Sequence, residues 1–571
     1  LRLRGWLVPL ATWLFLVLST GANAFDLAPE GVRALKEKVP SLAAFSSDGL
    51  VWRLERRYRM LSDGSTEASC TLVAQIGERI PGALRRLFVP VPDGGSAQAG
   101  LRYYDPMTWR EVGSVSPKET QLEGVRGLEM SLPQDAAGRV VLITLVQRVP
   151  SRASLSGFVS FGMELPVWEE VLSVEIPSGR GLNFKQQGVQ EPVVGSLSGV
   201  EAYVWINRNQ PPMSDSGLVD RQRPWVSFST SRGPEAASLR LREMDSVRTD
   251  RLSGLPKDPK GKLEALESRW SSSLKGVRVM SLVGGSDPVG SRLTLALRDA
   301  LEAEGHHVET WWAPKSGFAP GDPVSDGMWL TPVLRSQRLF GGSPFYVGQG
   351  VPPGEVAMGL LGRTLYRSLP SGEIGSMGVP MPPAENSRVS SYIRGSVSPD
   401  GRFEGTMEVL ISGAWIGLVD LEDPLGWLNT GGSFIFDGVR VRRSQRGLVL
   451  ESPMAGQLDV GANGMLLKIP SVYPRMLEDL VSRGEVLKPR FPFLLEQRVD
   501  LGVPKGTSPV VEPVLKNSRW LRQRISSSSV RGRISFSAAL TVRDAAGGRS
   551  DVSSEDFFFF IRGLGDGILV R

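Results

Sequence analysis

From about residue 50 to residue 230, apolar and polar side chains alternate in short runs broken by proline and glycine clusters, the pattern of strands with one face turned inward. Val51 to Met60 leads into Ser62-Asp63-Gly64-Ser65, a hairpin signal. The next run sets Ala68, Cys70 and Leu72 on one face against Glu67, Ser69 and Thr71 on the other, which places the Cys70 thiol on the core side of a strand. Val140 to Val149, Val167 to Ile176 and Ala202 to Asn207 continue the pattern, and the whole predicts a β-sandwich whose charged residues sit on solvated strand faces.

The period then changes. Arg232 to Lys262 is rich in charge, Ser, Gly and Pro and reads as a passage into a second domain. Val277 to Val283 predicts a strand, Gly284-Gly285-Ser286 a turn, and Asp287-Pro288 an N-cap with a first-turn proline. Leu293, Leu297, Ala300 and Leu301 recur at helical spacing, with Gly305 as the left-handed stop. His307 to Trp312 then resumes an extended run, giving a β-turn-α-β unit. From Ser387 onward the chain is again strand-rich: Ser398-Pro399-Asp400-Gly401 joins two extended runs, and others follow at Leu448 to Ser452, Met465 to Ile469 and Ile534 to Val542. Phe557 to Phe560 are expected to be buried in a terminal element, since four exposed aromatics would invite aggregation.

The first stretch carries a different signal. Arg2 and Arg4 precede an apolar run from Trp6 to Leu18, and Ala22-Asn23-Ala24 is a small-x-small site, so the expectation is an export signal over residues 1–24, cleaved before Phe25. The apolar run is shorter than the roughly 20 residues that span a bilayer, so no stable membrane span is expected after cleavage. Losing Arg2 and Arg4 lowers the formal charge from +6 to +4. That mild excess contains no dense basic block, which argues against nucleic acid as a partner.

Chemistry is limited by what the chain lacks. It has one Cys and two His in 571 residues, and His306 and His307 are adjacent. A single cysteine makes no internal disulfide, and a buried thiol is held protonated and shielded. From Gly290 to His306 the helix spans about 24 Å, too far for a serine at its start to meet a histidine at its end. The Gly284-Gly285 turn lacks both the Walker lysine and the G-x-G-x-x-G spacing, and Asp287 would repel phosphate. No metal set or cofactor motif stands out. Paired carboxylates remain, at Glu169-Glu170, at Asp420 with Glu422 and Asp423, and at Glu555-Asp556; such acids are usually solvent-facing or turn-forming, although glycosidase chemistry needs only two.

Several passages together resemble a known architecture. They are Leu50-Val51-Trp52 leading to Tyr58-Arg59-Met60-Leu61-Ser62-Asp63-Gly64, then Pro177-Ser178-Gly179 and Tyr203-Val204-Trp205. In the middle stand Leu301-Glu302-Ala303-Glu304-Gly305, Phe345-Tyr346, Val351-Pro352-Pro353-Gly354 and Leu361-Gly362-Arg363-Thr364-Leu365. Near the end come Ser398-Pro399-Asp400-Gly401-Arg402-Phe403-Glu404-Gly405 and Ser554-Glu555-Asp556-Phe557. This order resembles the bacterial exported transglutaminase-like proteins, whose core is flanked by two β-rich domains of unknown function. The resemblance implies a papain-like core with a Cys-His-Asp triad. Its cysteine position falls near Gly290, or at Ser286 if the register slides, its histidine near Met328-Trp329 and its aspartate near Gly348. All three roles look vacant, and losing all of them removes nucleophile, base and orienter together.

The expected fold is multidomain and mainly β with a small α+β core. It comprises an N-terminal β-sandwich over 25–247, a degenerate transglutaminase-like core over 248–376 and a C-terminal β-rich domain over 377–571. The expected function is that of an exported, periplasmic or extracellular, non-catalytic binding or structural protein, a pseudoenzyme without cofactor or metal. Its partner would be an envelope protein or a cell-wall component. Trp311, Trp312 and Trp329 flank the vacated positions, either lining a cleft or filling the space the triad left. Two other readings stay open: an envelope hydrolase using carboxylates, and a passive scaffold bound through β-edges.

Overall fold

The computed structural model describes residues 29–570 outside 46, 151–153, 214–222, 232–233, 250–254, 275, 283–287, 315–321, 323–328, 338, 340–344, 347–357, 420–422, 430–433, 445–446, 458, 462–463, 468–471, 478–489, 505–508, 511–513, 518–520 and 544–567. The architecture is mainly β and multidomain. The chain forms two compact units, the first comprising Leu1–Ser214, Gln222–Pro353 and Thr364–Met377, the second Asp215–Arg221, Gly354–Arg363 and Gly378–Arg571. The export segment, the Gly284-Gly285-Ser286-Asp287 turn and Phe557 to Phe560 lie outside the described residues.

The first unit is built on an eight-stranded sheet. Its spatial order is Val193–Leu197, Val200–Gln210, Val167–Pro177, Gly49–Met60, Thr66–Ile76, Val140–Val149, Ser96–Tyr104 and Glu111–Val115. All neighbours run antiparallel except Gly49–Met60 with Val167–Pro177. The Met60-to-Thr66 connection closes as its residues require. The Asp63 carboxylate accepts from the Ser65 N–H at 2.8 Å, and Gly64 takes φ +79°, which a side chain would resist.

One face of this sheet is covered by two smaller sheets. Leu54, Cys70, Leu72, Ile143 and Leu145 pack with Leu87, Val89, Leu128 and Met130 of a four-stranded sheet. Tyr58, Leu172, Val174 and Trp205 pack with Val159, Val226 and Phe228 of a three-stranded one. On the other face the helix Pro29–Lys36 lays Val32 against Trp52, Val73, Tyr104 and Leu142. Cys70 is therefore core-facing, as its alternation predicts.

Two local expectations need correction. The Val277 to Val283 run is not the first strand of a β-turn-α-β unit: Arg278–Val279 pairs in parallel with Arg86–Pro90 of the sandwich, while Glu309–Pro314 belongs to a different, five-stranded sheet. Met280 and Leu282 then pack into the sandwich core, and the Leu282 N–H donates to the buried Gln147 side chain at 2.8 Å. An apolar run records that it is buried and leaves open which sheet buries it. Likewise Arg232 to Lys262 is not simply a passage. Pro234–Ser246 is a helix that buries Ala237 and Leu241 against Leu295 and Trp312, two residues one turn apart being its only strong periodic signal.

The α+β part of the first unit has the sheet order Phe345–Tyr346, Trp329–Arg335, Glu309–Pro314, Thr364–Ser368 and Ile374–Gly378. Against it lies the helix Pro288–Glu302, with Leu293, Leu297 and Leu301 clustered on Leu334, Val308 and Leu263. This helix ends as its glycine predicts. Gly305 takes φ +84°, its N–H reaches the Glu302 carbonyl at 3.0 Å, and the His306 N–H reaches the Leu301 carbonyl at 3.1 Å. The following strand starts at Glu309 rather than His307.

The second unit centres on a nine-stranded sheet. Its main path is Phe434–Phe436, Gly447–Gln457, Arg402–Ile411, Arg388–Val397, Phe493–Gly502, Arg533–Val542, Leu521–Val530 and Val514–Asn517, with Arg440–Ser444 also pairing to Gly447–Gln457. Alternation is direct here. Phe403, Met407, Val409 and Ile411 enter the core with Ile393, Val499, Phe536 and Trp415, while Glu404, Thr406 and Glu408 face out.

Candidate functional site

The sandwich holds charge where the alternation predicts solvent. Glu170 is fully buried; it accepts from the Arg56 guanidinium at 2.5 Å and from the Gly162 backbone N–H at 2.6 Å. Burial pushes its carboxyl up, and the arginine and the amide offset part of that rise. On the opposite face Glu175, also buried, takes Arg57 at 2.5 Å and Arg59 at 3.0 Å, and Glu169 takes Arg208 at 2.9 Å. The expectation that Glu169-Glu170 is solvent-facing fails for Glu170. Because neighbours on a strand point to opposite faces, the two carboxylates do not converge, and each already has a cationic partner. Cys70 sits directly across from Arg56 in the strand register, yet burial raises its thiol to about 11, so it is protonated at neutral pH.

Of the three vacated triad positions, Gly290 is described and Met328 and Gly348 lie outside the described residues. Gly290 stands buried in the first turn of the core helix, where the Thr294 hydroxyl donates to its carbonyl at 3.0 Å. Trp329 is placed by its backbone at the head of its strand, opposite Pro314.

Trp311 and Trp312 do not line one cleft. As successive strand residues they point to opposite faces, and each face is occupied. Trp312 packs with Leu295, Ala237 and Leu241, and its indole N–H donates to Asp245 at 2.6 Å; burial pushes the Asp245 carboxyl up. Trp311 lies under the Arg367 guanidinium, 4.6 Å from its centroid, and donates to Glu309 at 3.2 Å. Glu309 in turn holds Arg335 at 2.8 Å and Arg367 at 3.0 Å, a closed network. The strand between the two tryptophans is thus filled on both sides.

Other candidates resolve into structural roles. Asp423 caps the short helix Pro424–Trp427, accepting from the Gly426 N–H at 2.8 Å, while Asp420, Glu422, Glu555 and Asp556 lie outside the described residues. Among the described residues no three His, Cys, Asp or Glu side chains stand together in a metal-holding group, and no helix is long and apolar enough to cross a membrane. Sequence reasoning missed Arg298. Buried in the core helix, it donates to the carbonyls of Asp245 and Val247 and so ties down the end of the helix Pro234–Ser246. Only an arginine among apolar helix positions marks it.

No protein-family model matches this chain, and no curated protein matches it. Among solved structures it is similar to a protein from Parabacteroides distasonis described as a "putative protease", with TM-score 0.48, 10% identity, and coverage of 92% of this chain and 99% of that one. It is also similar to an M1 zinc metallopeptidase from Deinococcus radiodurans, with TM-score 0.19, 9% identity, and coverage of 41% of this chain and 55% of that one. Likeness at these values carries neither a family nor an activity to this chain.

Proposed function

We propose that this chain is an exported, non-catalytic binding or structural protein of the bacterial cell envelope. It is built on a transglutaminase-like scaffold that has lost its triad, and the segment before Phe25 is removed on export. The observation that carries the reading is Gly290 itself: the position that would present a nucleophile is a buried glycine in the first helix turn, while Ser286, the other position the register allows, lies outside the described residues. The neighbouring sheet supports the same reading, because Trp312 is packed and hydrogen-bonded to Asp245 rather than facing open space. Cys70, the chain's one thiol, is buried in the sandwich, protonated and beside a paired arginine. The partner is an envelope protein or a cell-wall component.

Incubating the chain from Phe25 with a glutamine-donor peptide and a fluorescent primary amine tests this. The expected result is no transfer above a buffer blank. Sustained turnover, in transfer or in hydrolysis of the donor, would overturn the proposal.

A further inference from the structure

In the second unit, the outer face of the nine-stranded sheet is mixed in charge at one end and predominantly basic at the other. On the strands Arg402–Ile411, Gly447–Gln457 and Arg440–Ser444, Glu404, Glu408 and Glu451 stand among Arg402, Arg440, Arg442 and Arg443, and Arg442 holds Glu451 at 2.8 Å. On Phe493–Gly502, Arg533–Val542 and Leu521–Val530 the outward residues include Arg498, Arg522, Arg524 and Arg533 against Glu496 and Asp500. Both of those acids are engaged. Glu496 holds Arg388 at 2.5 Å and Ser390 at 3.2 Å; Asp500 accepts from Tyr392 at 2.6 Å and Ser535 at 2.5 Å. Arg498, Arg522 and Arg524 are exposed and make no ion pair among the described residues.

The strand register sets these arginines around a block of hydroxyls. Ser526 stands opposite Ser537 and Ser528 opposite Ser535. Arg524 is two residues before Ser526 on its strand, and Arg533 two residues before Ser535 on the next. Arg498 stands opposite Ser537 from the other side. With strands about 4.8 Å apart and same-face residues about 6.7 Å apart, the block is about the footprint of one sugar ring with guanidinium groups at its rim. Serine hydroxyls both donate and accept, as sugar hydroxyls do, and the guanidinium fork matches a carboxylate in two bonds. Among the described residues of these basic strands and their neighbour Arg388–Val397, the outward aromatic Tyr392 offers no open stacking platform for nucleobases, being covered by Arg394 at 4.1 Å and tied to Asp500.

We propose that this arginine–serine face is a docking surface for a carboxylated polysaccharide. The inference rests on the reading of the chain as a binding protein and names its partner's chemistry. The test is biolayer interferometry of the chain from Phe25 on immobilised polygalacturonate. Dextran, poly-L-glutamate and phosphatidylglycerol vesicles serve as comparison surfaces. The expected result is salt-sensitive binding to polygalacturonate that exceeds binding to the other three, weakened about tenfold or more in R498S/R522S/R524S and unchanged in R440S/R442S at the mixed-charge end of the sheet. The charge-retaining R498K/R522K/R524K variant, which keeps point charges but loses the forks, is expected to fall between. Equal binding to poly-L-glutamate or to vesicles, no binding to polygalacturonate, or a triple serine variant that binds like the native chain would each overturn this inference. None of those outcomes produces amine transfer, the result that overturns the non-catalytic reading, so the two failures are distinguishable.

Discussion

The eight-stranded sheet of the first unit and the nine-stranded sheet of the second are both mostly antiparallel, yet their polar residues stand in opposite environments. In the second, Arg402–Ile411 alternates between exposed and buried along its length. In the first, the central run of Val167–Pro177 from Glu170 to Ile176 is buried throughout, charged residues included. A sheet with one wet face can leave its charges to water; one covered on both faces must pair them, because an unpaired buried charge costs several kcal/mol. Arg56 with Glu170, and Arg57 and Arg59 with Glu175, are that pairing.

The comparison breaks most sharply at Arg56. Arg56→Met leaves Glu170 buried with only the Gly162 amide, and is expected to destabilise the first unit by about 3–5 kcal/mol, whereas R56M/E170M recovers most of the loss. Denaturant unfolding followed by tryptophan fluorescence measures both; a double variant as unstable as the single would mean that the pair is not the source of the cost. In the second unit the same test separates the faces. Met407→Ala should cost about 2–5 kcal/mol and its neighbour Thr406→Ala less than about 0.5 kcal/mol, since only Met407 empties a core site. Similar losses at the two positions would contradict the one-faced burial. Trp312→Phe keeps most of the ring but removes the donor to half-buried Asp245, for an expected loss of about 1–3 kcal/mol by calorimetry.

The second unit was the more legible of the two in the sequence, and the reason is the same wet face. The turn Ser398–Gly401 and the strands on either side of it follow from alternation and from Gly401 at φ +84°. In the first unit the Met60-to-Thr66 hairpin, the core-facing Cys70 and the Gly305 helix stop were also readable, because each depends on local residues. Glu170, Arg298 and the destination of Arg278–Val279 were not readable. Each is decided by a partner more than 50 residues away in sequence, and periodicity carries no record of that partner. The site divides in the same way. The helix that carries Gly290 is legible from its first-turn proline, leucine spacing and glycine stop, whereas the opposite destinations of Trp311 and Trp312 depend on which helix and which arginine cover each face.

A smaller effect of pH sharpens the contrast. Asp500, on the open face of the second unit, is held below the usual carboxylate range by hydrogen bonds from the Ser535 and Tyr392 hydroxyls. A depressed carboxyl contributes stability above its unfolded pKa of about 3.9 and loses it as pH falls through the folded value. Asp500→Asn should therefore be slightly less stable than the native chain at pH 7, with the gap closing below about pH 4. A gap that stays constant across that window would show that the hydroxyl bonds do not hold the carboxylate.

A non-catalytic chain must keep its one thiol out of reach, and intact-mass spectrometry tests this directly. The native chain from Phe25 is treated with iodoacetamide at pH 8 and compared with the chain unfolded in guanidinium. Cys70 is buried with its thiol raised to about 11, so the native chain should remain unalkylated while the unfolded chain takes up one adduct. Rapid single alkylation of the native chain would contradict the account, because it would give the protein an accessible, activated thiol.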